Sequence, residues 1–575
     1  MRYKILFILF FLSFFVFFLS SCNDNDSGRN NSISGDSSKI ASGKIIFEKN
    51  CAACHSFRQD EIGPALSGIT TEASVEWLHR FIKDPAKMIA SGDKRTSELR
   101  KRFKVAMPSF AAMSDDDINS VIAFLNTHKS RSLSPAEEDD KRITDPLPEK
   151  IKLSDLVVNL ELVTQFPLSS DSGKIPLTRI TKLDYEPESG ILFVNDLRGK
   201  LYKIVHGGTK IYLDLKKMFP GFIDAPGLAT GFGSFAFHPD FVKNGIFYTT
   251  HTEAPGSGKT DFSYADSIKI TVQWVLTEWK TENGAANRFV GTKRELMRIN
   301  MVTGAHGMQE ITFNPFAKPS GKDYGLLYVG VGDGASVQEG YSFIAHSKER
   351  VWGTILRINP SGRNSANGKY GIPVDNPFVH DKDPKTIKEI YAYGFRNPHR
   401  ITWTSLGQML VSNIGQANIE AIDWVKPGND YGWPIREGPF LSNPKGNLNN
   451  VYPLPANDSI YKITYPVAQY DHDEGNAITG GYQYMGSAVP QLEGKFFFGD
   501  IPSGRLFYIN VSDIKQGSLA AIEEWRITIN GVSKTLKQAC NGDRVDLRFG
   551  RDKKGELYVL TKADGRLYRI GATKE

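Results

Sequence analysis

The chain has 575 residues, too long for one ordinary domain at roughly 100 to 200 residues each, and its 40% apolar and 23% charged side chains exclude global disorder. Seventy Lys+Arg against 64 Asp+Glu leave a net charge of +6 without a long basic stripe, which argues against nucleic acid as a partner. Four cysteines, Cys22, Cys51, Cys54 and Cys540, cannot supply a disulfide framework over this length, so each needs its own explanation.

The amino terminus is MRYK followed by seventeen uncharged residues, Ile5 to Ser21, and reads as an export signal. It ends in Leu19-Ser20-Ser21-Cys22, which resembles a bacterial lipobox: small residues admit the signal peptidase and the Cys22 thiol carries the lipid. The expected mature protein starts at Cys22, lipid-anchored in the bacterial cell envelope on the periplasmic side. An uncleaved anchor is the alternative, since the stretch approaches the roughly 20 residues that span a bilayer. The polar run after Cys22 (NDNDSGRNNSISGDSSK) predicts a flexible tether over 22–41.

Helical patterning then predicts a small all-α domain over 42–130, and a Ser/Pro/charge-rich linker over 131–152. Within it, Cys51-Ala52-Ala53-Cys54-His55 places two thiols to form thioethers with haem vinyl groups and an imidazole to ligate the iron. A redox dithiol or half a zinc site is the alternative, but no second CxxC accompanies the motif. Ser74 can cap a helix carrying Val75, Leu78, Phe81 and Ile82, and Ser114 can cap one carrying Ile118, Val121, Ile122 and Leu125. The segment from about Gly43 to Lys129 resembles a class I cytochrome c. That resemblance implies covalent haem c with a methionine as sixth ligand before the last helix, here Met107, with Met88 and Met113 as competitors.

From 153 to 575 the pattern changes to short Val/Ile/Tyr/Phe runs bounded by Gly, Pro, Asn and Asp, an all-β signal. A glycine followed by an apolar run recurs at Gly190, Gly245, Gly325, Gly407, Gly494 and Gly555, at intervals of 55 to 87 residues, suited to four-stranded propeller blades. A companion token (LYKI at 201–204) recurs at 296–299, 355–358, 506–509 and 567–570. Six tokens predict a six-bladed β-propeller; an array of β-sandwiches is the alternative.

The segments GSFAFHPDF at 233–241, GVGDG at 330–334, TILRINPSG at 354–362, EIYAYGFRNPHR at 389–400, IGQANIEAIDWVKPGNDYGWP at 414–434 and ITGGYQYMGSAVP at 478–490 together resemble the glucose/sorbosone dehydrogenase family. Its characterised enzymes are six-bladed quinoproteins that oxidise sugars with pyrroloquinoline quinone (PQQ) and calcium. The resemblance implies His306 as general base and Asp333 as the carboxylate that orients it. It makes Arg396 and Asn397 the pair that holds PQQ, and the backbone carbonyls of Gly415 and Gln416 the calcium ligands. Arg505, Arg544 and Arg548 are the remaining cofactor-binding candidates. The family's PQQ-binding lysine falls near Pro502 or Ser503, where this chain has none. Asp471, Asp473 and Glu474 form a second oxygen-rich loop; His238, His399 and His472 are further pocket candidates, and Cys540 receives no role.

These readings combine into an exported haem-c quinoprotein that oxidises a sugar or related alcohol and passes electrons through the fused cytochrome to a downstream redox protein or respiratory-chain acceptor. A non-catalytic carbohydrate- or protein-binding propeller beside an electron-transfer cytochrome is the alternative, and a haem-propeller reductase of the nitrite type is a third.

Overall fold

The computed structural model describes residues 33–52, 54, 55, 57, 63–103, 107–129, 141–227 and 229–572. The export signal, the lipidation candidate Cys22 and the tether up to residue 32 lie outside the described residues, as do 130–140. Among the described residues no helix is long and apolar enough to cross a membrane.

The helical domain starts earlier than its sequence suggests. Asp36 accepts a hydrogen bond from Ser38 N at 2.8 Å and caps a helix over Ser37–Asn50, while Ile33 packs against the domain core, so the tether expected over 22–41 gives way to structure before its predicted end. The two predicted caps form: Ser74 Oγ accepts from Trp77 N ahead of Val75–Lys83, and Ser114 Oγ accepts from Asp117 N ahead of Asp115–Leu125, each at 3.1 Å. Ile118, Val121, Ile122 and Leu125 of the last helix pack with Phe47 of the first and with Leu78 in one apolar core.

The large domain is a ring of six four-stranded antiparallel units. Blade I contains Ile180–Tyr185, Leu192–Asp196, Lys200–Val205 and Gly208–Asp214; blade II contains Phe232–Phe237, Ile246–Glu253, Val272–Thr281 and Gly291–Met301. Blade III contains Glu310–Phe313, Leu327–Val331, Thr354–Ile358 and Ile390–Tyr393; blade IV contains Pro398–Trp403, Met409–Asn413, Ile419–Val425 and Ala468–Asp471. Blade V contains Ile478–Gln483, Lys495–Asp500, Leu506–Asn510 and Glu523–Ile529.

Blade VI takes three strands from the carboxyl end, Leu547–Arg551, Leu557–Thr561 and Arg566–Gly571, and its fourth, Lys152–Gln165, from the start of the domain. That strand runs antiparallel to Arg566–Gly571 and parallel to Glu523–Ile529 of blade V, so one segment closes the ring and covers two strand edges. Blade IV also carries an insertion, a small sheet of Arg436–Glu437, Phe440–Ser442 and Val451–Tyr452.

Each glycine token lies in the turn between the first and second strands of its blade. All six glycines have φ between +68° and +84°, the left-handed conformation that glycine adopts without a Cβ clash. The companion tokens occupy third strands, except 296–299, which sits in the fourth strand of blade II. Residues 141–151 run along the propeller, with Ile143 bridging to Val451 and Leu147 N donating to Asp471 at 3.2 Å.

Candidate functional site

Antiparallel meandering puts the turns between second and third strands, and the links from each fourth strand to the next blade, at one end of the ring. The glycine turns are at the other. The first end carries a cavity of about 490 Å³, and the helical domain sits over it, so one cavity is lined from both domains. Lys174 of the propeller places its ammonium 4.7 Å from the Phe110 ring of the helical domain.

On the helical wall, the N–H groups of Cys54 and His55 both donate to Cys51 O, at 3.0 and 3.1 Å, which keeps the CxxCH residues on one turn. Cys51 and Cys54 are half-buried thiols not joined in a disulfide. His55 Nδ1 lies 2.8 Å from Pro64 O. A carbonyl can only accept, so Nδ1 carries the proton and Nε2 keeps a lone pair for a metal. Phe47, Phe57 and Phe124 complete an apolar wall, with Phe47 and Phe57 stacked at 5.0 Å. Met107 is half-buried against the same apolar cluster as Cys51 and Phe57, whereas Met88 and Met113 are buried at 4% and 9% exposure. Two thiols, an oriented imidazole, an adjacent thioether and an aromatic wall fit covalent haem c.

On the propeller wall, His306 lies in the link from blade II to blade III, and Asp333 in the second turn of blade III. His306 Nδ1 is 2.8 Å from Asp333 Oδ1, and Asp333 Oδ2 accepts from Trp433 Nε1, also at 2.8 Å. His306 has φ +48°, and a Cβ on Gly332 would stand 2.4 Å from His306 O, so the GVGDG segment needs glycine at 332 to let the two loops meet.

Burial, and then the positive charge of Arg396, hold the His306 imidazolium below the ordinary histidine range against the opposing pull of Asp333, leaving the ring neutral and able to accept a proton. Burial would raise the Asp333 carboxyl, but the His306 hydrogen bond, with the charge of Arg396 and the Trp433 hydrogen bond, overrides it and holds it below the ordinary carboxylate range.

Arg396 and Asn397, in the link from blade III to blade IV, line the cavity together with Gly415 and Gln416 in the second turn of blade IV. Arg396 Nε donates to Gln416 Oε1 at 3.0 Å. The 416–419 segment is organised by Glu437 from the small inserted sheet: its Oε1 accepts from the backbone N–H of Gln416, Ala417, Asn418 and Ile419 at 2.8 to 3.0 Å. In planar trans peptides this turns the carbonyls of Gly415 and Gln416 away from Glu437. Arg544 and Arg548 line the blade VI side, and Arg544 pairs with Asp546 at 2.8 Å while reaching Cys54 across the domain boundary.

Several buried polar atoms of cavity-lining residues have no hydrogen-bond partner among the described residues: Gln338 Oε1, Asn397 Oδ1, His399 Nδ1, Gln416 Nε2, Asp546 Oδ2 and Arg548 Nε. Native interiors rarely leave such atoms unsatisfied, and this convergence of donors and acceptors fits a flat, polar, oxygen-rich ligand such as PQQ.

Arg505 departs from expectation. Its guanidinium is held by Glu474 at 2.5 Å and Glu524 at 2.7 Å and lines a neighbouring cavity of about 190 Å³, so its donors are committed elsewhere. The Asp471–Glu474 loop is likewise an ion-paired turn, with Asp473 on Lys150 at 3.2 Å. His472 pairs with Glu420 at 3.0 Å and His238 bonds Asn244 at 2.9 Å; of the three further histidines, His399 lines the main cavity. Burial pushes the Cys540 thiol up to about 12, and nothing in the structure gives it a role.

Sequence reasoning also missed Gln338, Trp433, Glu437 and Lys562. Lys562 had a legible signal, a lysine directly after the five-residue apolar strand Leu557–Thr561.

Residues 40–129 match the cytochrome c family model, and residues 181–569 match the glucose/sorbosone dehydrogenase model. Among curated relatives, the HIPL1 protein of Arabidopsis thaliana is 26% identical over 67% of this chain, and HIPL2 is 28% identical over 63%. The matches span 59% and 56% of those plant proteins. Quinoprotein glucose dehydrogenase B of Acinetobacter calcoaceticus is 24% identical over 63% of this chain and 74% of its own length. The soluble aldose sugar dehydrogenase of Escherichia coli superposes with a TM-score of 0.51 at 18% identity, over 72% of this chain and 100% of that one, a likeness of fold. The chain therefore joins a cytochrome c domain to a propeller and belongs to the glucose/sorbosone dehydrogenase family.

Proposed function

We propose that this protein is a quinoprotein dehydrogenase that oxidises a sugar or related alcohol at the propeller and delivers the electrons to its own haem c. The observation that carries this reading is the single cavity whose propeller wall holds the His306–Asp333 dyad and whose helical wall holds His55. His306 Nε2 takes the substrate hydroxyl proton, while Asp333 holds Nδ1–H and stabilises the imidazolium that results. The alcohol carbon loses a hydride as the hydroxyl loses its proton, so each turnover yields two electrons.

Bound PQQ would supply the two-electron acceptor, held by Arg396, Asn397 and Arg548, with Ca²⁺ on the carbonyls of Gly415 and Gln416. Haem c on Cys51, Cys54, His55 and Met107 would supply the one-electron step to a downstream redox protein. The Arg544 reach to Cys54 and the Lys174–Phe110 contact hold the two walls together. Export and lipid attachment at Cys22 complete the reading, supported by the lipobox-like sequence.

A second reading, a propeller that binds a carbohydrate or protein without turnover, draws on Pro502 and Ser503 standing where the family lysine falls. The relatives also include mouse Hedgehog-interacting protein, 22% identical over 62% of this chain. Adding PQQ and Ca²⁺ to the purified protein lacking residues 1–22, then aldoses, while following haem absorbance, separates the two. Sugar-dependent haem reduction that requires PQQ supports the dehydrogenase. Aldose binding without any PQQ binding or haem reduction, across a broad panel, replaces it with the binding module.

A further inference from the structure

The blade VI wall of the cavity holds more buried positive charge than its carboxylates match. Arg544 has Asp546 at 2.8 Å, and Arg400 behind it has Glu310 at 3.2 Å. Arg548 and Lys562, 7% and 3% exposed, have no carboxylate within 4.0 Å among the described residues. Arg548 Nη1 donates to Leu547 O at 2.6 Å, its Nε has no partner, and Lys562 Nζ makes no hydrogen bond among the described residues.

Lys562 is fixed at its backbone. Its N–H donates to Asp546 O at 3.3 Å, and its carbonyl accepts from Thr178 N at 3.2 Å and Thr178 Oγ1 at 2.8 Å. Burying unmatched cations in a low-dielectric wall is unfavourable unless an anion joins them. Burial, reinforced by the charge of Arg548, accordingly holds the Lys562 ammonium well below its ordinary range, while Asp546 pulls the other way.

The position also matters. Pro502 and Ser503 lie in the turn after the second strand of blade V, Lys495–Asp500, and Lys562 follows the second strand of blade VI, Leu557–Thr561. The two turns are at the same end of the ring, one blade apart, and Pro502 and Lys562 both line the cavity.

We propose that Lys562 and Arg548 form a carboxylate-binding clamp, with Lys562 supplying from blade VI the ammonium that the Pro502–Ser503 turn of blade V lacks. This deepens the PQQ reading and rests on it for the ligand, a planar tricarboxylate. It also makes Lys562 a group that burdens the empty protein and stabilises the loaded one.

The test is PQQ affinity by titration calorimetry on the full soluble chain, for wild type, Lys562→Met and Lys562→Arg, with the melting temperature of each protein alone. Loss of one charge-assisted contact predicts a Kd about 10- to 100-fold higher for Lys562→Met, largely recovered by Lys562→Arg. The PQQ-free Lys562→Met protein is expected to melt at or above the wild-type temperature. Equal Kd values for wild type and Lys562→Met overturn the clamp, as does a PQQ-free Lys562→Met protein that melts many degrees lower.

If wild type binds no PQQ, the PQQ reading fails by itself, and citrate then serves as the tricarboxylate probe in a thermal-shift assay. A shift in wild type that Lys562→Met abolishes supports the clamp, and no difference between them overturns it.

Discussion

The two walls of the shared cavity are assembled in opposite ways. On the helical wall, Cys51, Cys54 and His55 come from one turn of chain, and a backbone carbonyl from Pro64, nine residues on, orients the imidazole. On the propeller wall, His306, Asp333, Arg396, Gln416, Arg548 and Lys562 come from three blades and two of the links between blades, and meet because the ring returns every second-strand turn and every inter-blade link to the same end.

A locally built site holds its group through covalent attachment and short-range geometry, so it tolerates displacement of the surrounding fold. A site gathered from several blades depends on the ring, and each loop must be held in place from behind. Glu437 does this for 416–419, and Asp333 for His306.

This difference can be broken from either side. The largest effect is expected for His306→Asn: sugar-driven haem reduction falls about 10³- to 10⁴-fold, while chemical reduction by dithionite gives an unchanged haem spectrum in stopped-flow measurement. Met107→Ala strikes the other wall. The reduced spectrum changes and the midpoint potential drops by more than about 120 mV, making haem reduction at least about 100-fold less favourable, yet PQQ binding stays as in wild type.

Asp333→Asn is expected to cost about 10²-fold in kcat. Because Asp333 raises the His306 pKa against burial and Arg396, its loss also moves the acid limb of the kcat/KM profile to lower pH. An acid limb that moves to higher pH would contradict the dyad.

Glu437→Gln touches no ligand and should raise the Ca²⁺ concentration needed for reconstitution about 10- to 100-fold, without changing the haem. The smallest effect belongs to the contact between the walls. Lys174→Ala removes one cation–π interaction, less than about 1 kcal/mol, and should slow internal electron transfer by under about fivefold in flash-reduction kinetics.

How much was legible before the fold was known follows the same division. Helix caps at Ser74 and Ser114 are short-range signals and form as read, because a hydroxyl reaches an N–H three residues away whatever the rest of the chain does. The start of the helical domain is not legible for a comparable reason: Asp36 caps a helix whose first turns are too polar to show apolar periodicity. Six glycine tokens counted the blades, since each marks a turn that needs positive φ, but those turns lie at the end of the ring away from the cavity.

His306, Asp333, Arg396 and Asn397 are legible only through resemblance; the structure brings His306, Arg396 and Asn397 to one cavity and sets Asp333 behind His306. Arg505, expected in that cavity from its place in the sequence, stands in the next one, because only folding reveals that Glu474 and Glu524 occupy its donors.

The sequence by itself determined the haem motif, the helical domain and the six-blade repeat, because thioether spacing, capping and turn chemistry act over a few residues. The tertiary structure alone decided that the cytochrome faces the propeller cavity, that Glu437 gathers the 416–419 amides, and that Arg548 and Lys562 lie buried with no carboxylate within 4.0 Å among the described residues. Those facts depend on which loops, tens to hundreds of residues apart, the closed ring carries to one end, and on which charges remain unmatched once water has been excluded from between them.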